Sequence, residues 1–526
     1  MKNLNISAPI LCILPALALI PVLNGVIADV HGGGLHVLYN FFFAALHPSL
    51  DPVVIQSAWR GLQTTIATAL LAWIISMFLG LLLALLSSKV FWQSLGTGNW
   101  EASIIRRLLA IPRSVHELIW GLLLLQVFGI NPWVAILAIS IPYSSLVARV
   151  LGDQLDSLDI KTHIAITQVG GKTLSTITTS LLPPMIPIIN SYGGYRLECA
   201  LRGATILGIF GMGGIGTELY LTLQSLEFRE MWTSLWMLGA VMVSLESFLI
   251  WWQKSSSTSH KTQQQFCISI GMMLTLFLIS ILWLEALDVH LISSMNLNPL
   301  TPPNFNEVKK AIFELPWINL ISNTLLMTLL AAGIAIGTPT LGLLLFPTKL
   351  GTSIQSLVWA FLRLIPPPLS ALLLLLCTSP SLSVAALALG LHSLGVMGRL
   401  LKEGGNHESS KRYTAIYSTG SGKRLAWFYG YLSPQSKRYL SYAAYRTDVL
   451  LRETAVVGVV GGVGLGWQLQ ESLSSFAWAQ VALVTTTYIT LTLIGETISE
   501  KTREYWLMPT KTSSTVLQRA NSTLFV

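Results

Sequence analysis

The sequence predicts an all-α protein that crosses a membrane about twelve times, as two parallel repeats of six helices. Three observations predict it. Of 526 residues, 52% are hydrophobic and only 11% charged, with a mean hydropathy of +0.63, against about 25% charge in a soluble globular chain. Apolar runs of about 20 residues, enough to cross a bilayer core as a helix, recur along the chain. One stretch that carries charges inside such a run occurs twice. Ser191, Tyr192, Tyr195, Arg196, Leu201, Arg202, Gly208, Gly211, Gly214 and Gly216 return without a gap as Ser441, Tyr442, Tyr445, Arg446, Leu451, Arg452, Gly458, Gly461, Gly464 and Gly466. That is the mark of a duplicated module. The alternating ten-residue segments of a strand barrel are absent.

The first span is expected over 7–29. Lys2 and the apolar run behind it resemble a signal peptide. No convincing small-x-small cleavage site follows, however, and 10–27 is long enough to cross, so it reads as a retained helix. The loop after it holds His31, His36 and His47 without metal-ligand spacing. Spans follow at 60–86 and 105–128, then a turn at Gly129, Asn131 and Pro132, then 133–152. A less apolar segment, 152–180, leads to the fifth helix with the charged run. A polar turn at 217–230 leads to the sixth, at 231–252. The Ser/Thr/Gln-rich stretch 253–265 is the linker that separates a first half, 1–252, from a second, 266–526.

The second half repeats the order, with helices at 266–288, 317–346, 355–377 and 382–401, a polar segment at 402–424, the second charged helix from 435, and a last helix at 477–496. Other parts also match. TTIATALLA at 64–72 resembles NTLLMTLLA at 323–331, and Arg149 and Asp153 correspond to Arg399 and Glu403. Cys12, Cys199, Cys267 and Cys377 lie in apolar runs without ligand spacing, so no metal is expected.

An even number of helices per half gives both copies the same orientation. The segments 152–180, 253–265, 402–438 and 498–526 fall on one side and hold 15 of the 32 Lys and Arg residues, so the positive-inside rule makes that side cytoplasmic, with both termini. On the other side Arg229, Lys309 and Lys310 are balanced by Glu227, Glu230 and Glu307. The net charge of +8 is thereby explained by membrane topology, and no nucleic-acid partner is implied.

An ionised side chain at bilayer depth costs several kcal/mol, so it faces a polar cavity or a partner. Glu198 and Arg202 are four apart and can pair on one helix face, as can Asp448 and Arg452. That leaves Arg196 and Arg446 over, and each run counts as two positive and one negative charge. Arginines with a net positive field suit an oxyanion, whose oxygens match the guanidinium fork. The same charges could instead lock the helix against its neighbours. His116 and Glu117, adjacent in the third helix, are expected on different faces. GGKT at 170–173 and GSGK at 420–423 resemble nucleotide-binding loops, but Ile166 and Tyr417 stand where the first glycine is needed. No ATP site, catalytic constellation or cofactor is read here.

The segment ahead of each charged helix repeats too: Ala165, Gly170, Leu182 and Pro184 align with Ala415, Gly420, Leu432 and Pro434. It reads as a short helix, a glycine turn and a restarted membrane helix with proline in its first turn. This pattern resembles the cytoplasmic coupling loop of binding-protein-dependent ABC importer permeases. The run Tyr195, Arg196, Glu198, Arg202 with GMGGIG at 211–216, and Tyr445, Arg446, Asp448, Arg452 with GGVGLG at 461–466, resembles the phosphonate importer permeases within that superfamily. The likeness covers most of 55–250 and 315–497. A leading Glu of the loop is missing, Ser433 replaces the counterpart of Pro183, and Ala200 and Leu450 stand where relatives often carry Asn.

The resemblance implies a type I ABC importer permease with two halves fused in one chain, in a bacterial plasma membrane. It would move phosphonate, phosphite or phosphate without an ATPase site of its own. Its implied partners are a cytoplasmic ABC ATPase dimer, an extracytoplasmic binding protein and membrane lipid. Ala165, Gly170, Gly171, Ala415, Gly420 and Ser421 would couple to the ATPases. The tyrosines, arginines and acids of the two runs would line the pathway, and Gly211, Gly213, Gly214, Gly216, Gly461, Gly462, Gly464 and Gly466 would form turns at its gate. Alternatives are a permease for another small solute, or an anion transporter driven by an ion gradient.

Overall fold

A computed structural model describes residues 8–507, apart from 97, 99, 130, 159–164, 167, 172, 258–261, 288, 290–303 and 406. Among the described residues the chain is helical throughout, save turns and one isolated bridge between Val30 and Thr378. Among the described residues, seven helices are long and apolar enough to cross a membrane: Ala8–Ala28, Pro52–Ser87, Pro132–Ser157, Phe228–Trp251, Trp317–Leu345, Leu382–Lys402 and Trp478–Trp506. Counting each of three bent helix pairs as one span makes ten. The protein is an all-α, multi-pass membrane protein.

Two spans expected as single helices are broken. Trp100–Ser114 and Glu117–Phe128 meet at 82°, and Lys349–Leu364 and Pro367–Leu375 at 92°. The first break is made by His116, whose Nδ1 accepts the Leu118 N–H as an N-cap at 3.1 Å. The second is made by Pro366, which drives Ile365 into extended backbone. His116 and Glu117 therefore sit at a corner and not on opposite faces of one helix: His116 Nε2 lies 3.5 Å from Glu117 Oε2. The polar stretch 253–265 is largely helical, since Phe228–Ser257 runs into it and Thr262–Ala286 starts inside it. Its residues 258–261 lie outside the described part.

Packing groups the chain into two compact units, the described parts of His47–Leu300 and those of Met1–Leu46 with Thr301–Thr510. In the first, Pro52–Ser87 and Pro132–Ser157 run side by side with small residues between them. A Cβ on Gly80 would lie 2.6 Å from Val147 Cβ, and the Ser140 and Ser87 hydroxyls donate to the Ala72 and Ala148 carbonyls at 3.2 Å. Close backbone approach with polar cross-links is how helices associate in lipid, where apolar surface alone gives no preference. The charged helix Leu182–Leu207 is tied on through Trp73 Nε1, which donates to the Gly193 carbonyl at 2.8 Å. Thr262–Ala286, the leading helix of the second repeat, also packs on Pro52–Ser87. At one end Arg106 binds Asp156 (2.7 Å) and Asp153 (3.3 Å), and Asp156 accepts from Ser88 Oγ and the Lys89 N–H. Arg149 pairs with Asp153 at 2.8 Å.

The other unit is built on Trp317–Leu345 and Leu382–Glu403. Here the leading helix belongs to the first repeat. Ala8–Ile13 and the turn after it lie along Trp317–Leu345, where Gly333 and Gly337 leave room for the Pro15 and Ala16 backbone. Thr340 Oγ1 donates to the Cys12 carbonyl at 2.9 Å, and His31 N–H to the Cys377 carbonyl at 3.1 Å. Each unit thus combines the helices of one repeat with the first helix of the other.

Candidate functional site

The device repeated in the two units has an entry turn, a charged helix and a glycine corner. In the first unit the described loop residues Ala165, Gly170 and Gly171 are exposed. Gly170 has φ +91°, a conformation suited to glycine, and the Gly171 N–H closes the turn on the Ile166 carbonyl at 3.0 Å. In the second unit the helix His407–Ser418 carries exposed Ala415. Gly420 has φ +85°, and half-buried Ser421 donates to the Ile416 carbonyl at 2.6 Å.

A helix restarts after each of these turns, as expected, but without proline in its first turn. The helix begins at Thr173 and at Lys423 and passes without interruption through a π-turn, Ile177–Leu181 or Trp427–Leu432, into the charged helix. Pro183, Pro184 and Pro434 come directly after it. Proline has no N–H for the carbonyl one turn back, and the wider π-turn absorbs the lost bond.

Within the charged helices the expected short-range pairs form: Arg202 binds Glu198, and Arg452 binds Asp448. Arg196 and Arg446 are not left over. Arg196 is 6% exposed and donates to the Tyr192 hydroxyl at 2.7 Å. Its guanidinium carbon lies 5.0, 5.4 and 5.4 Å from the ring centres of Tyr192, Tyr143 and Tyr195, a cation–π arrangement. Arg446 is 8% exposed and donates to Ser393 Oγ at 2.8 Å and to Glu453 at 3.1 and 3.3 Å. Tyr445 carries Arg503 at 6.0 Å from its ring centre. The expected net positive charge of the second run therefore does not hold. Glu453 lies two helical turns from Arg446, so both project to one side, and it neutralises that arginine.

The glycine corners share Gly214 and Gly464 at positive φ and a close approach at Gly216 and Gly466, but differ just ahead of these in where the backbone turns. Gly211, Gly213 and Gly214 have φ between +84° and +87°, and Gly462 and Gly464 have +67° and +73°. Gly216 and Gly466 serve close approach: a Cβ on Gly466 would lie 2.6 Å from the Ala455 carbonyl oxygen, and one on Gly216 would collide with that of Thr205. Gly461 keeps helical backbone, and a Cβ there would touch Ala385 at 3.2 Å. The helix leaving each corner is capped from a distance. Thr65 Oγ1 accepts the Ile215 N–H at 2.9 Å, and Thr324 Oγ1 accepts the Leu465 N–H at 3.0 Å.

Thr65, Thr324, Tyr143, Ser393 and Glu453 are absent from the residues singled out by sequence. The signal for the threonines was in hand, since both belong to the matched stretches 64–72 and 323–331. Glu453 hid at a position where the repeat does not match, opposite Gly203.

The chain is similar in sequence to several transport permeases. A putative cryptic phosphonate transport system permease protein of Escherichia coli K12 is 31% identical over 113 residues, covering 22% of this chain and 92% of that protein. The chain belongs to the phosphonate/phosphite permease family. A putative phosphite transport system permease protein of Stutzerimonas stutzeri is 26% identical over 218 residues, 41% of this chain and 75% of that protein. A phosphate-import permease of Mycolicibacterium smegmatis is 21% identical over 391 residues, 70% of this chain and 72% of it, a span that takes in both repeats. No family model and no solved structure matches the chain.

Proposed function

We propose that this permease imports a small phosphorus oxyanion, whether phosphonate, phosphite or phosphate, as the membrane subunit of an ABC transporter. The observation that carries the reading is the doubled device of exposed glycine turn, charged helix and glycine corner, with the acid–arginine pair and the threonine cap present in both copies. In a chain of this family its two exposed turns suit a pair of ATPase subunits. The chain has twelve spans, six per repeat, joined at 253–265, in a bacterial inner membrane with both termini cytoplasmic. An extracytoplasmic binding protein delivers the anion, and ATP is hydrolysed by the partner. Ala165, Gly170, Gly171, Ala415, Gly420 and Ser421 receive the ATPases.

Of the charged residues, Arg196 and Arg446 line the pathway, held between passages of the anion by tyrosines and by Ser393 and Glu453 respectively. The pairs Glu198–Arg202 and Asp448–Arg452 present charge toward the moving anion. The partly exposed rings of Tyr195 and Tyr445 border them, and the glycines of 211–216 and 461–466 shape the gate end.

The test uses the chain co-expressed with its ATPase and binding protein, with uptake of labelled phosphite, phosphate and an alkylphosphonate. Gly170→Arg together with Gly420→Arg is expected to abolish ATPase co-purification and uptake while the permease still assembles. Retention of both sinks the coupling assignment. Uptake driven by an ion gradient without the ATPase supports the secondary-transporter reading instead.

A further inference from the structure

The repeat register aligns Glu453 with Gly203, Glu117 with Pro367 and Tyr143 with Ser393, each 250 residues apart. Each carboxylate is therefore missing from the other half. Yet each carboxylate stands at the equivalent place beside the charged helix of its own unit. In the second unit Glu453 stands on the charged helix and binds Arg446. In the first, the helix carries only glycine there, and the space beside it is filled from elsewhere. The Glu117 Oε1 atom lies 3.4 Å from where a Gly203 Cβ would be, and the Tyr143 hydroxyl 3.6 Å. That hydroxyl is 3.5 Å from Glu117 Oε1 and donates to the Cys199 carbonyl at 3.2 Å, and Arg196 lies over the same ring. The corner at 115–116 is what allows Glu117 to reach in. It stands at the first residue of Glu117–Phe128, where a carboxylate is favoured by the helix dipole.

We infer that Glu117 and Glu453 are equivalent positioning residues, one per half, that hold the charged run electrically balanced until a passing anion takes over the arginines. With them, each half carries two arginines and two carboxylates in or beside its charged run. A buried arginine is costly without charged or polar partners. A carboxylate that an oxyanion can replace lets the site fill and empty without a naked charge in either state. The inference rests on the proposed anion transport. It adds two residues whose role the run itself does not reveal.

Relocation of the carboxylate tests it. Uptake of phosphite, phosphate and alkylphosphonate is measured for Glu117→Gln, Glu453→Gln, and the relocated pairs Glu453→Gly with Pro367→Glu and Glu117→Ala with Gly203→Glu. Each Gln variant is expected to lower the maximal rate about tenfold and to lower KM as well, because the anion no longer competes with a carboxylate. The relocated pairs recover most of the rate. Structural damage alone lowers the rate at constant KM without rescue, and that result overturns the inference, as does wild-type behaviour of both Gln variants. If the unaltered protein moves none of the three anions, the transport reading fails on its own. The inference is then decided by thermal unfolding of the purified chain. Loss of Tm in Glu453→Gln with recovery in the relocated pair sustains the equivalence, and equal Tm values across the set overturn it.

Discussion

Replacing Gly466 by alanine is expected to damage the second glycine corner severely, and the size follows from geometry. The new Cβ would stand 2.6 Å from the Ala455 carbonyl oxygen and 3.2 Å from both the Ala455 carbonyl carbon and its Cα. Carbon atoms prefer about 3.5–4.0 Å. The neighbours are backbone in the middle of Ser433–Gly461, so no side chain can swing away. The two helices must part by several tenths of an ångström, which also loosens the approach of Gly458 to Gly466, where a Cβ on Gly458 would lie 3.2 Å from Gly466 Cα. Overpacking of this kind costs about 1–3 kcal/mol. For a unit of this size that lowers Tm by about 2–4 °C per kcal/mol. Gly216→Ala in the other unit meets a still tighter wall and is expected to lose at least as much. Gly211→Ala meets nothing within 4 Å but must hold φ +86°, a cost of about 1–2 kcal/mol. Exposed Gly32, with neither constraint, is the control. Thermal unfolding of the detergent-purified variants gives the order. If Gly466→Ala unfolds at the same temperature as Gly32→Ala, the close-approach argument is refuted.

Thr65→Val and Thr324→Val each leave a buried N–H without its acceptor and are expected to cost about 1–3 kcal/mol, with serine restoring most of it in the same unfolding assay. Arg446→Ala strands Glu453, which is 16% exposed at its side chain, and is expected to cost about 3–5 kcal/mol. Adding Glu453→Gln should recover part of that loss, and strict additivity in the four-protein cycle would contradict the pairing. Asp156→Asn removes the partner of Arg106 and weakens a cap at Ser88, an expected loss of about 1.5–3 kcal/mol. A fall of under 1 °C in Tm would show that this cluster carries little.

What the sequence made legible was whatever depends on local spacing. The i,i+4 pairs Glu198–Arg202 and Asp448–Arg452, the exposed glycine turns and the repeat all follow from residues a few positions apart. The broken spans escaped because hydropathy averages over 105–128 and 355–377 and is blind to a histidine cap or a proline corner. The threonine caps escaped because Thr65 and Ile215 lie 150 positions apart, and Thr324 and Leu465 lie 141 apart. Glu453 escaped for a different reason. Comparing two copies weighs the positions that agree, and this carboxylate works at a position where they differ.

The exchange of leading helices bears on what happens if the polypeptide is cut. Severing it at 258–261 would not release two finished halves. The N-terminal fragment would carry away Ala8–Ala28, which the other fragment needs to cover Gly333 and Gly337. The C-terminal fragment would carry away Thr262–Ala286, which packs on Pro52–Ser87. Each fragment alone would expose a groove shaped for a helix it does not own, and the two expressed from separate genes could complete each other. Fusion into one chain therefore secures a one-to-one ratio of pieces that are each incomplete alone.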